Sequence, residues 1–512
     1  MADANSRTKN TLLNTIGGFA VKIATILMAF ITRTIFIKTL GIQYAGVSGV
    51  FTDILVVLSF AEMGIGAAIA YALYKPIADD DEAAIARFMN AYRKIYTAIA
   101  GVILGLGLCL IPLLGYIIKD VPDIIEDIRL IYILYVLNTA SSYLLIYKTA
   151  FLTAAQKDYL VSKVKIVISL LKAAAECVCL LIFRNFIVYL IIGIAFQLLQ
   201  NLIVARVAER EYPILKKKNR QPLEKKEKTK LIADIRALFL YKVSGTVLNG
   251  TDSLVISSFI GTPAVGVLGN YNLITNQIYS LVMQIFSATS ASVGNLAATS
   301  SPEHQETVFN KMLFLCFWIY CFCATALWTL LTPFMLVWQG EEYLFSGAMV
   351  ALLITDFWMK GMLSPISQFR TSNGLFTQGK YRPLIMAIIN IAVSIFLVKL
   401  IGITGVIIGT IVSRLTTQLW YDPYLIYKRV FRKSVLGYYL KYVVYIAVTV
   451  GCCLLSSFLL NCLPIENLYL KVLIGFGFAL VIPNAAIVLL YFRTTEFRGI
   501  VKLVSNVIKR KV

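Results

Sequence analysis

The chain has 512 residues, of which 59% are hydrophobic and 15% charged, with a mean hydropathy of +0.77; a soluble domain carries roughly a quarter charged residues. That balance excludes a soluble fold and puts most of the chain in a bilayer. The formal net charge of +21 would suggest nucleic acid on a soluble protein, but here the basic residues sit mostly in alternate loops and read as topology.

A hydrocarbon core of about 30 Å takes about 20 apolar residues per helical span. The sequence holds about fourteen such runs, beginning near Leu12, Val50, Tyr92, Ile128, Val161, Phe186, Ile232, Val265, Met312, Leu344, Pro383, Gly405, Leu436 and Tyr469. MADANSRTKN runs directly into the first of them without the short apolar core and cleavage site of a signal peptide, so that span is expected to stay. Loops after even-numbered runs carry Arg87, Arg93, Lys94, Lys157 and Lys163, whereas loops after odd-numbered runs carry little beyond Lys38, Lys119, Arg184 and Lys399. Positive residues mark the cytoplasmic side, which places both termini and the even loops there. Residues 209–230, with the run KKKNRQPLEKKEKTK, form the main basic linker, and anchoring near anionic lipid explains its charge better than nucleic-acid binding. The acidic stretch ADDDEAAIARF, Ala78 to Phe88, superficially resembles a metal-binding pair of aspartates; it reads instead as the N-terminal cap of a short cytoplasmic helix.

Of the nine cysteines only Cys462 falls in a predicted outer loop, so no disulfide framework follows. His304 is the sole histidine, which excludes a histidine-based zinc site and a serine–histidine triad. No metal site or cofactor is expected.

The segment LGIQYAGVSGVF (Leu40 to Phe51) aligns without gaps on IGTPAVGVLGNY (Ile260 to Tyr271), matching Gly41, Gly46, Val47 and Gly49 to Gly261, Gly266, Val267 and Gly269 at an offset of 220 (261 − 41). The same offset sets Lys22 opposite Lys242. Six spans separate the copies, so both enter the membrane in one direction, as parallel repeats do. The predicted class is an all-α polytopic membrane protein of about fourteen transmembrane helices. Residues 1–208 and 231–430 form two six-helix bundles related by a pseudo-two-fold along the membrane normal, and residues 431–512 add two helices and a basic tail.

Lys22 and Arg33 are eleven residues apart (33 − 22), about 1100° of helix rotation, within about 20° of whole turns. They share a face, as do Lys242, Thr246, Asn249 and Ser253 in the second copy. A charge at the bilayer centre costs from about 3 to over 10 kcal/mol, so such a face belongs in a bundle interior or a cavity, unless Lys22 and Arg33 snorkel to an interface. Lys172, Lys360 and Arg414 lie nearer mid-span. Lys172 with Glu176, and Asp356 with Lys360, are four residues apart and neutralise one another in the alternative reading; Arg414 has no such neighbour. With Lys148 near the end of the fourth span, these cations suit an anionic substrate, and arginine matches phosphate oxygens with paired hydrogen bonds. Asn270, Asn272, Asn276, Gln277 and Gln284 are candidate sugar contacts or helix-to-helix hydrogen bonds. Glu62, beside Gly64 and Gly66, is a candidate for a coupling ion, proton or sodium, and Asp53 and Asp252 are candidates for a gate with Arg33.

The segments RTIFIKTLG, YAGVSGVF and FAEMGIGAAIAYALYKPIA, set in paired halves, resemble bacterial polysaccharide transporters, the lipid-linked oligosaccharide flippases of the MATE-like superfamily, which also holds multidrug exporters and the lipid II flippase. The resemblance implies a V-shaped transporter of the bacterial cytoplasmic membrane. Such a transporter alternates between inward- and outward-open states and moves a polyprenyl-pyrophosphate-linked glycan between leaflets, working as a monomer without covalent chemistry. By role, Arg33, Lys22, Lys148 and Lys242 are then the nearest candidates for the pyrophosphate. An ion-coupled multidrug or cation exporter of the same fold is the alternative. A membrane glycosyltransferase or ligase is disfavoured because the longest outer connection, Thr332 to Tyr343, spans only about a dozen residues.

Overall fold

A computed structural model describes residues 23–59, 65–118, 124–155, 157–216, 222–225, 227–229, 231–232, 251–375, 378–379, 381–464 and 467–509. Lys22, Glu62 and Lys242 lie outside the described residues. The described residues form helices and no strands, and ten helical stretches are long and apolar enough to cross a membrane. The helix pattern accords with about fourteen passages.

The chain forms two compact units, Met1–Gly269 and Asn270–Val512. The first contains α1 (Ile23–Leu40), α2 (Ile42–Leu58), α3 (Ile65–Ala78), α4 (Glu82–Cys109), α5 (Ile128–Ser142), α6 (Ile146–Ala154), α7 (Asp158–Phe183) and α8 (Phe186–Glu211). It also holds the helical residues 251–259, here α9, and the start of α10 (Thr262–Ala288). The second contains the rest of α10, then α11 (Ser290–Thr299), α12 (Pro302–Gln339), α13 (Gly347–Met362), α14 (Ser364–Ser372), α15 (Arg382–Ile401) and α16 (Ile403–Thr416). It ends with α17 (Gln418–Ile426), α18 (Leu436–Cys462), α19 (Leu468–Tyr491) and α20 (Thr495–Lys509).

The acidic cluster does cap a helix: an Asp81 carboxylate oxygen accepts from the Ala84 N–H at 2.9 Å. The helix is not short, however. No glycine or proline interrupts the sequence from Glu82 to Ala100, so the capped turn runs without a break into the 28-residue α4. α5 and α6 share one traverse, broken at Leu145, whose φ of 66° is left-handed. The carbonyls around the break have a side-chain donor: the Asn201 side-chain amide on α8 donates to Ser141 O, Ser142 O and Leu144 O at 3.3, 3.1 and 3.0 Å. In the membrane an unpaired carbonyl costs several kcal/mol, so one buried asparagine sustains this break.

In the second unit, α12 is flanked by α18 and α19. Phe317 stacks on Tyr445 at 3.9 Å, Thr329 hydrogen-bonds Ser456 at 2.9 Å, and the Trp318 indole donates to Asn484 Oδ1 at 2.7 Å. α15 and α16 close together through small residues, as membrane helices without a hydrophobic driving force between them must. A Cβ on Gly405 would stand 2.5 Å from the Leu397 carbonyl oxygen, and one on Gly409 2.3 Å from Ser394 Oγ. Near one end, Asp422 is 1% exposed and pairs with both Arg370, at 3.0 Å, and Arg382.

Candidate functional site

The two glycine segments of the repeat meet. A Cβ on Gly46 of α2 would lie 1.9 Å from the Thr262 carbonyl oxygen of α10, and one on Gly266 would lie 2.6 Å from the Ile42 carbonyl oxygen. The contact is reciprocal at the offset of 220: Thr262 is the counterpart of Ile42, and Gly266 that of Gly46. Only glycine permits backbones to approach this closely. Gly41 and Gly261, which start the two helices, both have positive φ, 98° and 127°, so the turn before each copy repeats as well.

Arg33 and its counterpart Ser253 flank this crossing in matching ways. The Arg33 guanidinium donates to Gly266 O at 3.2 Å and lies 3.2 Å from where a Cβ on Gly269 would be. The Ser253 hydroxyl hydrogen-bonds the Asp53 carboxylate on α2. Asp53 therefore meets a hydroxyl, and Arg33 also interacts electrostatically with Tyr135 and Tyr189. Both contacts join the two copies of the repeat, Arg33 to the second glycine segment and Asp53 to Ser253 on α9. Asp252 sits half-buried on α9, beside Ser253.

Deeper in the first unit, Lys172 and Glu176 of α7 pair at 3.6 Å, with Glu176 6% exposed. Gly193 of α8 makes room for them: a Cβ there would stand 3.6 Å from Glu176 Oε1 and 3.9 Å from Lys172 Cε. Glu176 also interacts electrostatically with Tyr135 and Tyr189, so Arg33 and the Lys172–Glu176 pair share the same two tyrosines. Lys148 is 7% exposed and paired with Glu209 of α8. Its charge is matched within the bundle.

In the second unit, Asp356 does not pair with Lys360 one turn along its own helix. Its carboxylate instead accepts from Arg414 Nε on α16 at 2.7 Å, and Lys360 Nζ stands 4.4 Å from the centre of the Tyr279 ring on α10. Arg414 is thus neutralised across helices, which residue spacing alone does not disclose. The α10 amides do not converge on one surface: Asn270 is fully buried, Asn272 and Gln277 are half-buried, and Asn276 and Gln284 are exposed. Among the described residues no three His, Cys, Asp or Glu side chains gather as metal ligands.

Sequence reasoning did not single out Tyr135, Tyr189, Gly193 or Asn201. The available signal was positional, a lone polar or small residue in an apolar helix facing another such residue, and it becomes specific only once the helix pairing is known.

Neither a family model nor a curated protein sequence matches the chain. Among solved structures, lipid II flippase MurJ in an inward closed conformation superposes with a TM-score of 0.67 at 13% identity, over 94% of this chain and 99% of its own. An inward-facing multidrug resistance MATE family transporter of the MOP superfamily gives 0.55 at 14% identity, over 78% and 96%. The MATE transporter VcmN of Vibrio cholerae gives 0.53 at 14%, over 81% and 98%. The chain has the all-helical membrane fold that MurJ and the MATE transporters share.

Proposed function

We propose that the protein is a flippase that carries a polyprenyl-pyrophosphate-linked oligosaccharide or cell-wall glycan precursor from the inner to the outer leaflet of a bacterial cytoplasmic membrane by alternating access. The observation that carries this reading is the extent of the likeness to MurJ. It covers 94% of the chain against 78% for the MATE transporter, a difference of 16 percentage points (94 − 78), or about 80 residues, the length of segment 431–512. The cations support it: Arg33 contacts backbone at the crossing, and Lys360 rests on an aromatic face. Arginine and lysine are suited to a pyrophosphate, arginine through paired hydrogen bonds. The reciprocal glycine crossing of α2 and α10 supplies a contact that one state makes and another breaks.

The runner-up, an ion-coupled multidrug or cation exporter, draws on the carboxylates Glu176 and Asp356, each of which sits beside a cation. Depleting the protein in its host and identifying accumulated membrane lipids by mass spectrometry separates the two. A polyprenyl-linked glycan accessible only from the cytoplasmic side supports the flippase; no such lipid, with increased sensitivity to cationic dyes, supports the exporter. Under the flippase reading, Arg33→Ala abolishes transport in a protein that is still folded and inserted.

A further inference from the structure

The first unit contains two adjoining hollows away from the glycine crossing and Arg33. One is a groove of about 400 Å³ between α4, the α5–α6 break and α8, lined by Tyr96, Leu144, Leu145, Leu198 and Leu202. Leu144 and Leu202 are 43% and 45% exposed, so the groove opens sideways out of the bundle. The other is a polar cavity of about 170 Å³ lined by Asn90, Lys148, Glu209 and Lys216. Arg93 and Tyr147 line both and form the junction.

Depth distinguishes the hollows. At about 1.5 Å per residue, Asn201 is about 22 Å along α8 from Phe186 and Glu209 about 34 Å, against a hydrocarbon core of about 30 Å. The groove therefore lies inside the hydrocarbon near its boundary, and the polar cavity lies in the headgroup layer, on the side of the membrane that carries the basic loops. Charge distinguishes them too. Lys148 and Glu209 cancel. Arg93 meets no carboxylate among the described residues, and Lys216 is exposed, which leaves the cavity net positive.

The groove is held in its shape. Leu145 is a non-glycine residue in the left-handed region, which costs about 1–2 kcal/mol, and the Asn201 amide ties three carbonyls around it. Strain maintained in this way is a pointer to function, and its result here is that Leu144 and Leu145 form one wall of the groove.

We infer that the paired hollows hold one anionic phospholipid of the basic-side leaflet. Its acyl chain lies in the Leu144–Leu202 groove and its phosphate on Arg93, with Lys216 close by. A free anion has no use for the apolar groove, and a zwitterionic lipid brings its own cation against Arg93. The inference is independent of the transported substrate, since it involves neither the glycine crossing nor Arg33, and Lys148, a pyrophosphate candidate by sequence, is occupied by Glu209.

The test uses the full-length protein in nanodiscs containing equal amounts of phosphatidylglycerol and phosphatidylcholine, with native mass spectrometry of the lipid retained after release. The wild type should retain phosphatidylglycerol at least tenfold over phosphatidylcholine. Arg93→Glu should abolish that preference, and Leu202→Trp, which fills the groove and keeps the arginine, should cut retention at least tenfold. Arg184→Gln, at the other end of α8, should change nothing. Should Arg93→Glu not fold, Leu202→Trp carries the test by itself. Equal retention of the two lipids, or unchanged retention in folded Arg93→Glu or in Leu202→Trp, overturns the proposal. Displacement of the lipid by millimolar inorganic phosphate does so as well, because it assigns the site to a free anion.

Discussion

Replacing Gly46 by alanine perturbs the α2–α10 crossing with a size that can be worked out beforehand. The new Cβ would stand 1.9 Å from the Thr262 carbonyl oxygen, where ordinary contact begins near 3.4 Å. The backbones must therefore part by about 1.5 Å (3.4 − 1.9) in the packing described here. Gly266→Ala asks for about 0.8 Å (3.4 − 2.6), and Gly49→Ala meets only the Val265 side chain at 3.0 Å, which can turn aside. Overpacking of this kind costs about 1–3 kcal/mol, which shifts a two-state equilibrium away from the crossed state by roughly 5- to 150-fold. A single cysteine at Ser253, in a background without the nine native cysteines, reports the change through its alkylation rate by an impermeant maleimide. The expected order is Gly46→Ala fastest, then Gly266→Ala, then Gly49→Ala near the parent rate. Equal rates for Gly46→Ala and Gly49→Ala would refute the view that the crossing is a closure that opens.

Three further outcomes follow from particular contacts. Arg414→Ala strands the Asp356 carboxylate and should lower the amount of folded protein, at a cost on the order of 3 kcal/mol; adding Asp356→Asn should recover much of it in a thermal-unfolding assay. Asn201→Leu removes the donor to three carbonyls at the α5–α6 break and should destabilise the first unit by about 1–3 kcal/mol or more, read as a lower midpoint of unfolding. Burial alone would raise the Glu496 carboxyl, but its backbone hydrogen bond and the Lys441 ammonium outweigh burial and hold it below its ordinary 4.5. A depressed carboxylate contributes its stability above pH 4.5 and loses it as pH falls through the folded value. The packing of α20 on α12, where Phe497 stacks on Trp318 with ring centres 5.4 Å apart, should therefore loosen on acidification below about pH 4.5. A variant with Trp318 as its only tryptophan should show this in fluorescence, and Glu496→Gln should flatten the response.

Spans and repeat were legible because both are written in local pattern. Runs of about 20 apolar residues mark the passages, and the glycines at Gly41, Gly46, Gly261 and Gly266 recur at one offset because each copy needs the same turn and the same close approach. The partners of the buried charges were not legible. Asp356 sits one helical turn from Lys360, and spacing favours that pair, yet its carboxylate points to Arg414, 58 residues away in sequence. Likewise nothing local to Asn201 reveals that α5 breaks at Leu145 and needs its amide. Side-chain pairing across helices depends on which faces meet, and single-helix periodicity leaves that open.

The arrangement of intramembrane charge has its own logic. Lys172, Lys148 and Arg414 each face a carboxylate, Glu176, Glu209 and Asp356, so each pair avoids most of the cost of an isolated charge in lipid. Contacts of another kind also occur: Arg33 donates to a carbonyl and interacts with two tyrosines, and Lys360 rests on a tyrosine ring as well as interacting with Asp356. Partial charges and ring faces stabilise a cation without cancelling it. A matched pair must first be broken before its cation can bind anything, at a cost of several kcal/mol. The pairs of Lys172, Lys148 and Arg414 therefore act first as a scaffold, each fixing the helices that carry it.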